Sequence, residues 1–366
     1  MLNLYQKGMN TLVLLGRDND GKRTITEVKD FRPYMYVEDK DGQFKGLKGE
    51  KLKKIVFSMP GEVKRARDLY AKTWESDILY PLRYLIDKVQ NIPYMPIRKL
   101  YIDIETCDIE NYKLEVQKPK GPVLSFSAYD NFTKKSFKFC HHPTETIEGS
   151  YCYKTEEEMF RDIIKFIQKV DPDLICGMNS NNFDIPYLVN RGRQLDVNID
   201  KISHDGRKIE IKTFYSKSTL RNETEISING RYCFDLQRAA KYLNLSESDE
   251  YSLNDLAKQL LQKEKYPISS TPQTLWTKGE LKELMNYNLH DVMLCVEIDE
   301  KTEMVDMFNE RRIETGCTWN ELWQATRILD ILLLREAKQQ NIVLPRKPIK
   351  QKKKSERIKG GFVQLS

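Results

Sequence analysis

The stretch KLYIDIETCD, residues 99–108, alternates apolar side chains with two carboxylates, Asp103 and Glu105. In an extended strand, side chains two positions apart lie on the same face, about 7 Å apart along the chain, so the pattern predicts one apolar and one acidic face. Two like charges on one face raise each other's pKa unless a positive charge lies between them. The pair could bind a divalent metal, or it could face solvent on an ordinary strand. Acidic residues elsewhere in the chain decide between these interpretations.

Two further segments supply such residues. Asp184 follows Phe183 in NSNNFDIPYL, residues 179–188, where a predicted strand turns into a helix, and sites commonly form at the strand ends of open α/β sheets. Tyr287 and Asp291, in the stretch YNLHD, are four positions apart and lie one turn apart on the same face of a predicted helix. Taken singly, Asp184 could cap the helix that follows it, and Tyr287 could belong to the core with Asp291 at its solvent edge.

Taken together, these acids favour a metal site. Two hard divalent cations need a small number of oxygen ligands, with room left for substrate oxygens and water. Cations about 4 Å apart can activate a water on one side and hold the departing oxygen on the other, as in phosphodiester hydrolysis. The sequence therefore predicts two Mg²⁺ or Mn²⁺ ions bound by four carboxylates, with Tyr287 orienting the attacking water; the carboxylates are those of Asp103, Glu105, Asp184 and Asp291.

The first 96 residues are predicted to form a small α+β domain. The dipeptides Asp20-Gly21 and Asp41-Gly42 each suit a tight hairpin turn between β-prone runs. A further strand is expected in KLKKIVFS, and a helix is expected from Pro60 to Ser76, because proline is well tolerated at a helix start. A compact sheet with one or two helices follows from this pattern.

Residues 97–302 are predicted to form an α/β domain. Three β-prone runs, beginning with residues 99–107, suggest an antiparallel meander. A helix over Thr155 to Val170 follows, opened by a capping box with Glu158, and DPDLICGMN then forms a buried strand. Later segments predict a hairpin pair over 207–236, a long helix capped by Thr277 and Glu280, and further helix to about Gln340.

Charge and cysteine content limit the class of protein. The net charge of +6, from 60 basic and 54 acidic residues, permits a polyanionic partner without demanding one. The basic run RKPIKQKKK, residues 346–354, is either a solvated linker or a phosphate-binding segment. Seven scattered cysteines suit reduced thiols in a cytoplasm, and no apolar run is long enough to cross a membrane.

The order D-I-E-T, then N-x-x-x-F-D, then Y-x-x-x-D resembles the three motifs of the 3′→5′ proofreading exonuclease of family B DNA polymerases, and is most similar to the archaeal branch. Five landmarks of that family also occur in order, so the resemblance covers nearly the whole chain: FRPYMYV at 31–37, RYLIDK at 83–88, FDL at 234–236, YSLNDLA at 251–257 and GGFV at 360–363. The resemblance implies a ribonuclease-H-like exonuclease domain with a mixed sheet, beside the small N-terminal domain.

The same resemblance implies roles for individual residues. The four acids bind metal, Tyr287 positions the water, Asn179 and Phe183 border the bound 3′ end, and residues 207–229 form a hairpin that helps part primer from template. Residues 303–366 return as helices to the N-terminal domain and continue as a basic linker. The lysines of that linker would meet DNA phosphates if DNA is the partner; they are Lys347, Lys350, Lys352, Lys353 and Lys354.

No palm, fingers or thumb motif occurs in the sequence. The resemblance therefore implies the N-terminal and proofreading portion of a polymerase, whose partners are DNA, a C-terminal polymerase portion in the same or a separate chain, and, as a further candidate, a sliding clamp. Two alternatives stay open: a free-standing 3′→5′ DNA exonuclease, and a non-catalytic DNA-binding or uracil-sensing subunit of a split polymerase. The four intact acids argue against an inert subunit.

A second hypothesis concerns the N-terminal domain, which in archaeal relatives captures uracil in template DNA. The matching residues could form a pocket that excludes the extra methyl group of thymine, or they could be ordinary sheet packing. These residues are Tyr5, Pro33, Tyr34, Tyr80 and Arg83.

Overall fold

The computed structural model describes residues 3–107, 115–216, 221–248 and 250–348. The strands are β1 Asn3–Lys7, β2 Thr11–Arg17, β3 Arg23–Val28, β4 Tyr34–Glu38, β5 Phe44–Gly46, β6 Lys51–Val56, β7 Lys99–Thr106, β8 Val123–Asp130, β9 Lys135–His141, β10 Tyr151–Tyr153, β11 Leu174–Gly177, β12 Glu210–Ser216, β13 Arg221–Ser227, β14 Tyr232–Asp235 and β15 Ile342–Val343. The α-helices are α1 Pro60–Arg67, α2 Tyr80–Lys88, α3 Glu156–Val170, α4 Asp184–Gln194, α5 Leu236–Leu243, α6 Leu253–Leu256, α7 Pro272–Thr277, α8 Leu281–Thr302, α9 Met304–Thr315 and α10 Ala325–Gln339.

The largest sheet has six strands in the order β10-β9-β8-β7-β11-β14. Strands β7, β8 and β9 form the predicted antiparallel meander, and β11 lies parallel to both β7 and β14. The sheet is therefore mixed, and the chain is mixed α/β, as the sequence predicts.

The alternation in β7 separates two cores. Leu100, Ile102 and Ile104 pack in one cluster with the apolar stripe of α3, whereas Tyr101 packs in another with residues of α8. Because successive side chains of a strand point to opposite faces, α3 and α8 cover opposite faces of the sheet. Asp103 and Glu105 share the face of Tyr101, and therefore lie on the α8 side.

Helix α3 begins as its capping box predicts. The Thr155 Oγ1 accepts a hydrogen bond from the Glu158 backbone N–H at 3.3 Å, and the Glu158 carboxylate accepts one from the Thr155 backbone N–H at 3.3 Å. This reciprocal pair satisfies two N–H groups that a helix start would otherwise leave without partners.

One of the two predicted N-terminal hairpins is present and the other is wrong. Strands β2 and β3 pair antiparallel around Gly21, which has a φ of +78°. Strands β4 and β5 do not pair with each other, because both pair with β6, in the sheet order β15-β5-β6-β4. A Cβ on Gly42 would lie 2.5 Å from the backbone of Leu52, so glycine at this position allows the connection to pass close against β6.

Two predicted helix boundaries are also wrong. Helix α1 ends at Arg67 rather than continuing to Ser76, because Trp74 pairs with Tyr36 through two backbone hydrogen bonds of 3.0 and 3.1 Å. Thr277 is the last residue of α7 rather than a cap of α8, and its hydroxyl donates to the Gln273 carbonyl at 2.8 Å. Glu280 precedes α8 without capping it through its side chain.

The later elements follow the predicted order. Strands β12 and β13 form a hairpin, and the turn at Asn229-Gly230 leads into β14. Helices α9 and α10 follow α8, and β15 then pairs in parallel with β5 of the N-terminal sheet. Within the described residues, no helix is long and apolar enough to cross a membrane.

Oppositely charged side chains join the β2–β3 hairpin to the turn before β11, and we call this group the junction cluster. The Arg17 Nε lies 2.5 Å from the Asp173 Oδ2, the Arg23 Nε lies 2.7 Å from the Asp171 Oδ2, and Arg23 also pairs with Asp173. The Arg231 Nη1 lies 2.8 Å from the Asp171 Oδ1. Both aspartates of this cluster are thus bonded to arginine.

Candidate active site

Three of the predicted carboxylates come together on the α8 side of the sheet. One oxygen from each of Asp103, Glu105 and Asp291 lies within 4.8 Å of the other two. Strand β7 supplies the first two, and α8, which packs across β7 and β8, supplies the third. Asp103 and Glu105 are half-buried and Asp291 is buried.

Asp184 is the first residue of α4, directly after the turn that follows β11. It is only 3% exposed, and its Oδ1 accepts a hydrogen bond from the Ile104 backbone N–H, between Asp103 and Glu105, at 3.2 Å. Its oxygens lie outside the 4.8 Å group of the other three. The structure therefore places Asp184 beside the cluster, against the strand that carries two of its members.

The electrostatics of these groups reflect an excess of negative charge. Removal from solvent, followed by the charges of Asp184, Glu105 and Asp291, raises the pKa of Asp103 well above its usual range. Burial, with further contributions from Asp235 and Asp291, raises the pKa of Asp184 to about 7. Such shifts are expected where carboxylates crowd together with too little positive charge to balance them.

One cation does reach the cluster, and sequence reasoning did not find it. The Lys265 Nζ lies 2.5 Å from the Asp291 Oδ2 and 3.4 Å from the Tyr287 hydroxyl. Burial lowers the pKa of Lys265, but Asp291 outweighs that effect, and the pKa is raised overall. Lys265 precedes α7 in the stretch KEKYP, which carries no motif that would single it out.

Asn288 is a second residue that the sequence did not indicate. Its Nδ2 donates to the Asp103 Oδ2 at 2.6 Å from α8. Its position next to Tyr287 and one turn before Asp291 is the only sequence signal, because the same helical face must meet β7.

The chemistry of the donor set fits hard divalent cations. Within the described residues, the buried Oδ1 atoms of Asp291 and Asn288 have no hydrogen-bond partner. An unsatisfied buried carboxylate oxygen is costly unless a cation or water meets it, and carboxylate oxygens are the ligands that Mg²⁺ and Mn²⁺ prefer. Asp103, Glu105 and Asp291, with Asp184 beside them, could hold such cations.

Asn179 and Phe183 shape the turn that leads to Asp184. Asn179 has a φ of +56°, and its carbonyl accepts hydrogen bonds from the backbone N–H groups of Asn182 and Phe183 at 3.0 and 3.1 Å. Phe183 is half-buried, with its ring centroid 5.6 Å from that of Tyr187. Both residues therefore belong to the turn that leads to Asp184; their contact with DNA stays a prediction.

The predicted DNA-binding lysines fall largely outside the described residues. Lys347 forms an ion pair with Asp330 of α10. The other four, Lys350, Lys352, Lys353 and Lys354, lie outside the described residues.

The five residues of the uracil hypothesis are all buried. The Tyr5 hydroxyl lies 3.0 Å from the His204 Nδ1, and the Tyr80 hydroxyl donates to the Phe31 carbonyl at 2.7 Å. The Tyr34 hydroxyl donates to the Asp87 Oδ2 at 2.6 Å and lies 3.0 Å from the Arg83 Nη1; Arg83 also pairs with Glu75 at 2.7 Å. The Pro33 carbonyl accepts a hydrogen bond from the Phe57 N–H at 2.8 Å. These contacts give each residue a packing role, and uracil capture stays a prediction.

A cleft of about 640 Å³ lies beside the turn that leads to Asp184. The β12–β13 hairpin, α5 and the segment after α9 form its walls. The Arg238 guanidinium stacks on the Trp323 ring at 4.4 Å from the centroid, and Phe214 of β12 and Tyr242 of α5 are 43% and 40% exposed. Its remaining lining is largely polar: Asn181, Asn182, Asn222, Glu223, Thr224, Asp235, Gln237, Lys241 and Gln324.

A family model and individual relatives both relate this chain to DNA polymerases. Residues 96–256 match the family model described as "DNA polymerase family B, exonuclease domain". The chain is 29% identical to the DNA polymerase delta catalytic subunit of Dictyostelium discoideum, over 84% of this chain and 32% of that protein. It is 24% identical to a DNA polymerase of Pyrococcus glycovorans, over 96% of this chain and 49% of that protein, and 24% identical to one of Methanocaldococcus jannaschii, over 89% and 22%. The chain thus spans half or less of the length of these relatives.

Proposed function

We propose that this chain, whose residues 96–256 match the exonuclease domain of family B DNA polymerases, uses its four carboxylates to bind two Mg²⁺ or Mn²⁺ ions and to hydrolyse the 3′-terminal phosphodiester of DNA. The observation that carries the proposal is the group of three carboxylates within 4.8 Å, with a fourth bonded to the same strand. Lys265 contributes one positive charge beside this group of carboxylates, and divalent cations are the expected further complement.

The protein's own groups have separable roles in this proposal. Asp103, Glu105 and Asp291 would bind the ions, and Asp184 would complete the set from the start of α4. When bound, the cations supply Lewis-acid stabilisation of the attacking and departing oxygens. Asn288 fixes the Asp103 carboxylate through its 2.6 Å hydrogen bond, which holds one ligand in a single orientation.

Tyr287 and Lys265 would position the attacking water. Burial raises the pKa of Tyr287, with Lys265 opposing that effect, so the phenol keeps its proton at neutral pH. The Lys265 Nζ lies 3.4 Å from the Tyr287 hydroxyl oxygen and 2.5 Å from the Asp291 Oδ2. It therefore limits the orientations of the Tyr287 hydroxyl while it remains paired with Asp291. A protonated, held phenol can hydrogen-bond a water beside the carboxylates, which is the orientation that hydrolysis requires.

The cleft beside the turn offers a path for an unpaired DNA strand. Exposed aromatic rings and an arginine stacked on tryptophan are suited to bases, because every base has a face that can stack. The cleft borders the turn that leads to Asp184, so a strand lying in it would extend toward the carboxylates. We assign the β12–β13 hairpin as the wall of this path.

Degradation of single-stranded DNA labelled at its 5′ end tests the proposal. With Mg²⁺ or Mn²⁺ the chain should shorten the strand from its 3′ end, and the variant carrying both Asp103→Ala and Glu105→Ala should lose this activity. A matched variant with Glu38→Ala and Asp41→Ala, an exposed acid at the end of β4 and one in the turn that follows, should retain it. Undiminished degradation by the first variant would show that the site is assigned wrongly.

Substitution of the water-positioning residue gives a second, finer test. Tyr287→Phe should lower the rate by about tenfold or more while leaving DNA affinity unchanged, because only the orientation of the water is lost. Tyr94→Phe, at an exposed tyrosine, is the control. A Tyr287→Phe chain with unchanged rate would remove this residue from the mechanism.

The relatives are named as DNA polymerases, which supports an editing role in DNA replication. Nucleotide addition would then come from a polymerase portion in the same or a separate chain. A primer-extension assay in which this chain is supplied with that portion should yield fewer retained 3′ mismatches than the portion alone. An inert subunit, the alternative from another functional class, would leave the mismatches unchanged.

A further inference from the structure

The sheet face opposite the carboxylates carries a groove, which we call the back groove. It lies between the C-terminal half of α3 and strands β9 and β10 and has a volume of about 460 Å³. Phe137 and Phe139 of β9 pack with the α3 cluster, whereas Lys138, between them, reaches Asn286 of α8. The groove is therefore separated from the carboxylate site by the thickness of the sheet.

Aromatic rings form the floor of the back groove. Tyr151 of the edge strand β10 is 49% exposed and stacks on Phe139, with centroids 4.8 Å apart and planes inclined by 17°. The ring centroid of Phe166 of α3 lies 4.6 Å from that of Phe137 and 5.2 Å from that of Phe139. An exposed ring supported from below by other rings is a surface on which a further flat group can stack.

The rim of the back groove is positively charged. Four basic and two acidic side chains line it. Arg98 pairs with Asp130 at 2.6 Å, and Lys165 pairs with Asp162 at 2.7 Å, so both acids are neutralised. The two remaining cations, Lys135 and Lys169, are exposed and lie on opposite walls, on β9 and α3. A ligand in the groove would meet aromatic surface below and uncompensated positive charge on both sides.

We propose that the back groove is a second binding site for single-stranded nucleic acid, in which a base stacks on Tyr151 and the adjoining phosphates contact Lys135 and Lys169. Stacked aromatic rings combined with a cationic rim are the features that sequence-independent single-strand sites use. An apolar peptide would use the rings but leave the two lysines without partners, so nucleic acid is the better match. Binding in the back groove involves no hydrolysis, and this proposal does not depend on the exonuclease function proposed above.

Binding of a fluorescein-labelled deoxythymidine oligomer of about 16 nucleotides, followed by anisotropy in EDTA at several salt concentrations, tests the proposal. Tyr151→Ala should raise the Kd at least about fivefold, the lower end of the effect of losing one stacked base. Lys135→Gln with Lys169→Gln should reduce the slope of log K against log salt by about 1.4, since each phosphate contact to a single strand contributes about 0.7.

Matched controls lie on other surfaces. Tyr94→Ala removes a tyrosine that is 69% exposed, compared with 49% for Tyr151, and Lys40→Gln with Lys45→Gln removes two exposed lysines near the N-terminal sheet. These variants should bind as the parent chain does. Back-groove variants that match the controls in Kd and in salt slope would overturn the proposal.

Hydrolysis of the p-nitrophenyl ester of thymidine 5′-monophosphate separates this inference from the exonuclease. The ester is too small to span both sites, so the back-groove variants should cleave it at the parental rate. Cleavage of the ester with unchanged oligomer binding would refute only the back groove. Altered oligomer binding without cleavage of the ester would refute only the exonuclease.

Discussion

Two stretches of this chain have the same pattern, an acid, one residue and a second acid, yet they have opposite surroundings. Asp103 and Glu105 of β7 lie against the carboxylate of Asp291, which itself pairs with Lys265. Asp171 and Asp173, before β11, meet three arginines in the junction cluster. Charge balance, rather than the presence of paired acids, therefore distinguishes a cation site from a structural ion pair.

The pKa directions express the same contrast. Burial raises the pKa of Asp103, and its acidic neighbours raise it further. Burial also acts to raise the pKa of Asp171, but hydrogen bonds and charge from Arg23 and Arg231 outweigh it, and the pKa is lowered. A buried acid that already has arginine partners gains little from a metal, whereas a crowded acid without them gains a great deal.

The largest expected effect comes from substituting one acid of the first pair. Asp103→Asn should lower the exonuclease rate about 1,000-fold, roughly 4 kcal/mol, because the proposal makes Asp103 a metal ligand at the site of developing charge. Without metal, the same substitution should not lower the free energy of unfolding, since it removes one of several repelling charges. Single-turnover degradation of labelled DNA, with urea denaturation in EDTA, measures both. A stable and fully active Asp103→Asn variant would contradict the proposed difference between the Asp103 pair and the junction cluster.

The matching substitution in the junction cluster should do the reverse. Asp173→Asn leaves Arg17, which is buried, without its carboxylate partner. Breaking a buried pair in this way should lower the free energy of unfolding by about 3 kcal/mol. The exonuclease rate, measured well below the unfolding transition, should stay within about twofold of the parent because no metal ligand changes. A large loss of rate with unchanged stability would place this acid in the site.

Metal addition should sharpen the comparison further. Mn²⁺ at 100 times its Kd should raise the free energy of unfolding by about 2.7 kcal/mol, because the proposed site exists only in the folded chain. The stabilisation should vanish in EDTA, be strongly reduced in the Asp103→Asn variant, and persist in the Asp173→Asn variant. Urea denaturation with and without Mn²⁺ measures it. Equal stabilisation of all three chains would indicate binding elsewhere.

Local patterns in the sequence predict the elements that present the site. The alternation in β7 fixes which residues face α8, because the side-chain period of a strand is two. The capping box at Thr155 fixes the start of α3, because its partners are three residues apart. The order of the acids along the chain predicts the cluster itself, and the structure brings three of the four within 4.8 Å.

Contacts between distant residues that belong to no motif are what the sequence did not predict. Lys265 meets Asp291 across 26 positions and Asn288 meets Asp103 across 185, and neither pair has a fixed spacing that a motif could record. The pairing of β5 with β6 instead of β4 depends on the close approach of Gly42 to β6, which turn chemistry alone does not specify. For the same reason, the sequence could not show that Asp171 and Asp173 would meet arginines about 150 positions away.

The smallest expected effect concerns the pH dependence of the junction cluster. The lowered pKa of Asp171 means that its carboxylate stabilises the fold above the unfolded-state pKa of about 4, and that this stabilisation is lost as the pH falls through the lower folded-state pKa. Asp171→Asn should therefore lower the free energy of unfolding by about 1 to 2 kcal/mol at neutral pH, with the difference from the parent shrinking below pH 4. Urea denaturation of both chains between neutral pH and about pH 3 measures the difference. If the difference in the free energy of unfolding stays constant over this range, the Asp171 side chain acts through packing rather than through its charge. Asp171 would then no longer be an example of an acid stabilised by charge balance, in contrast to Asp103.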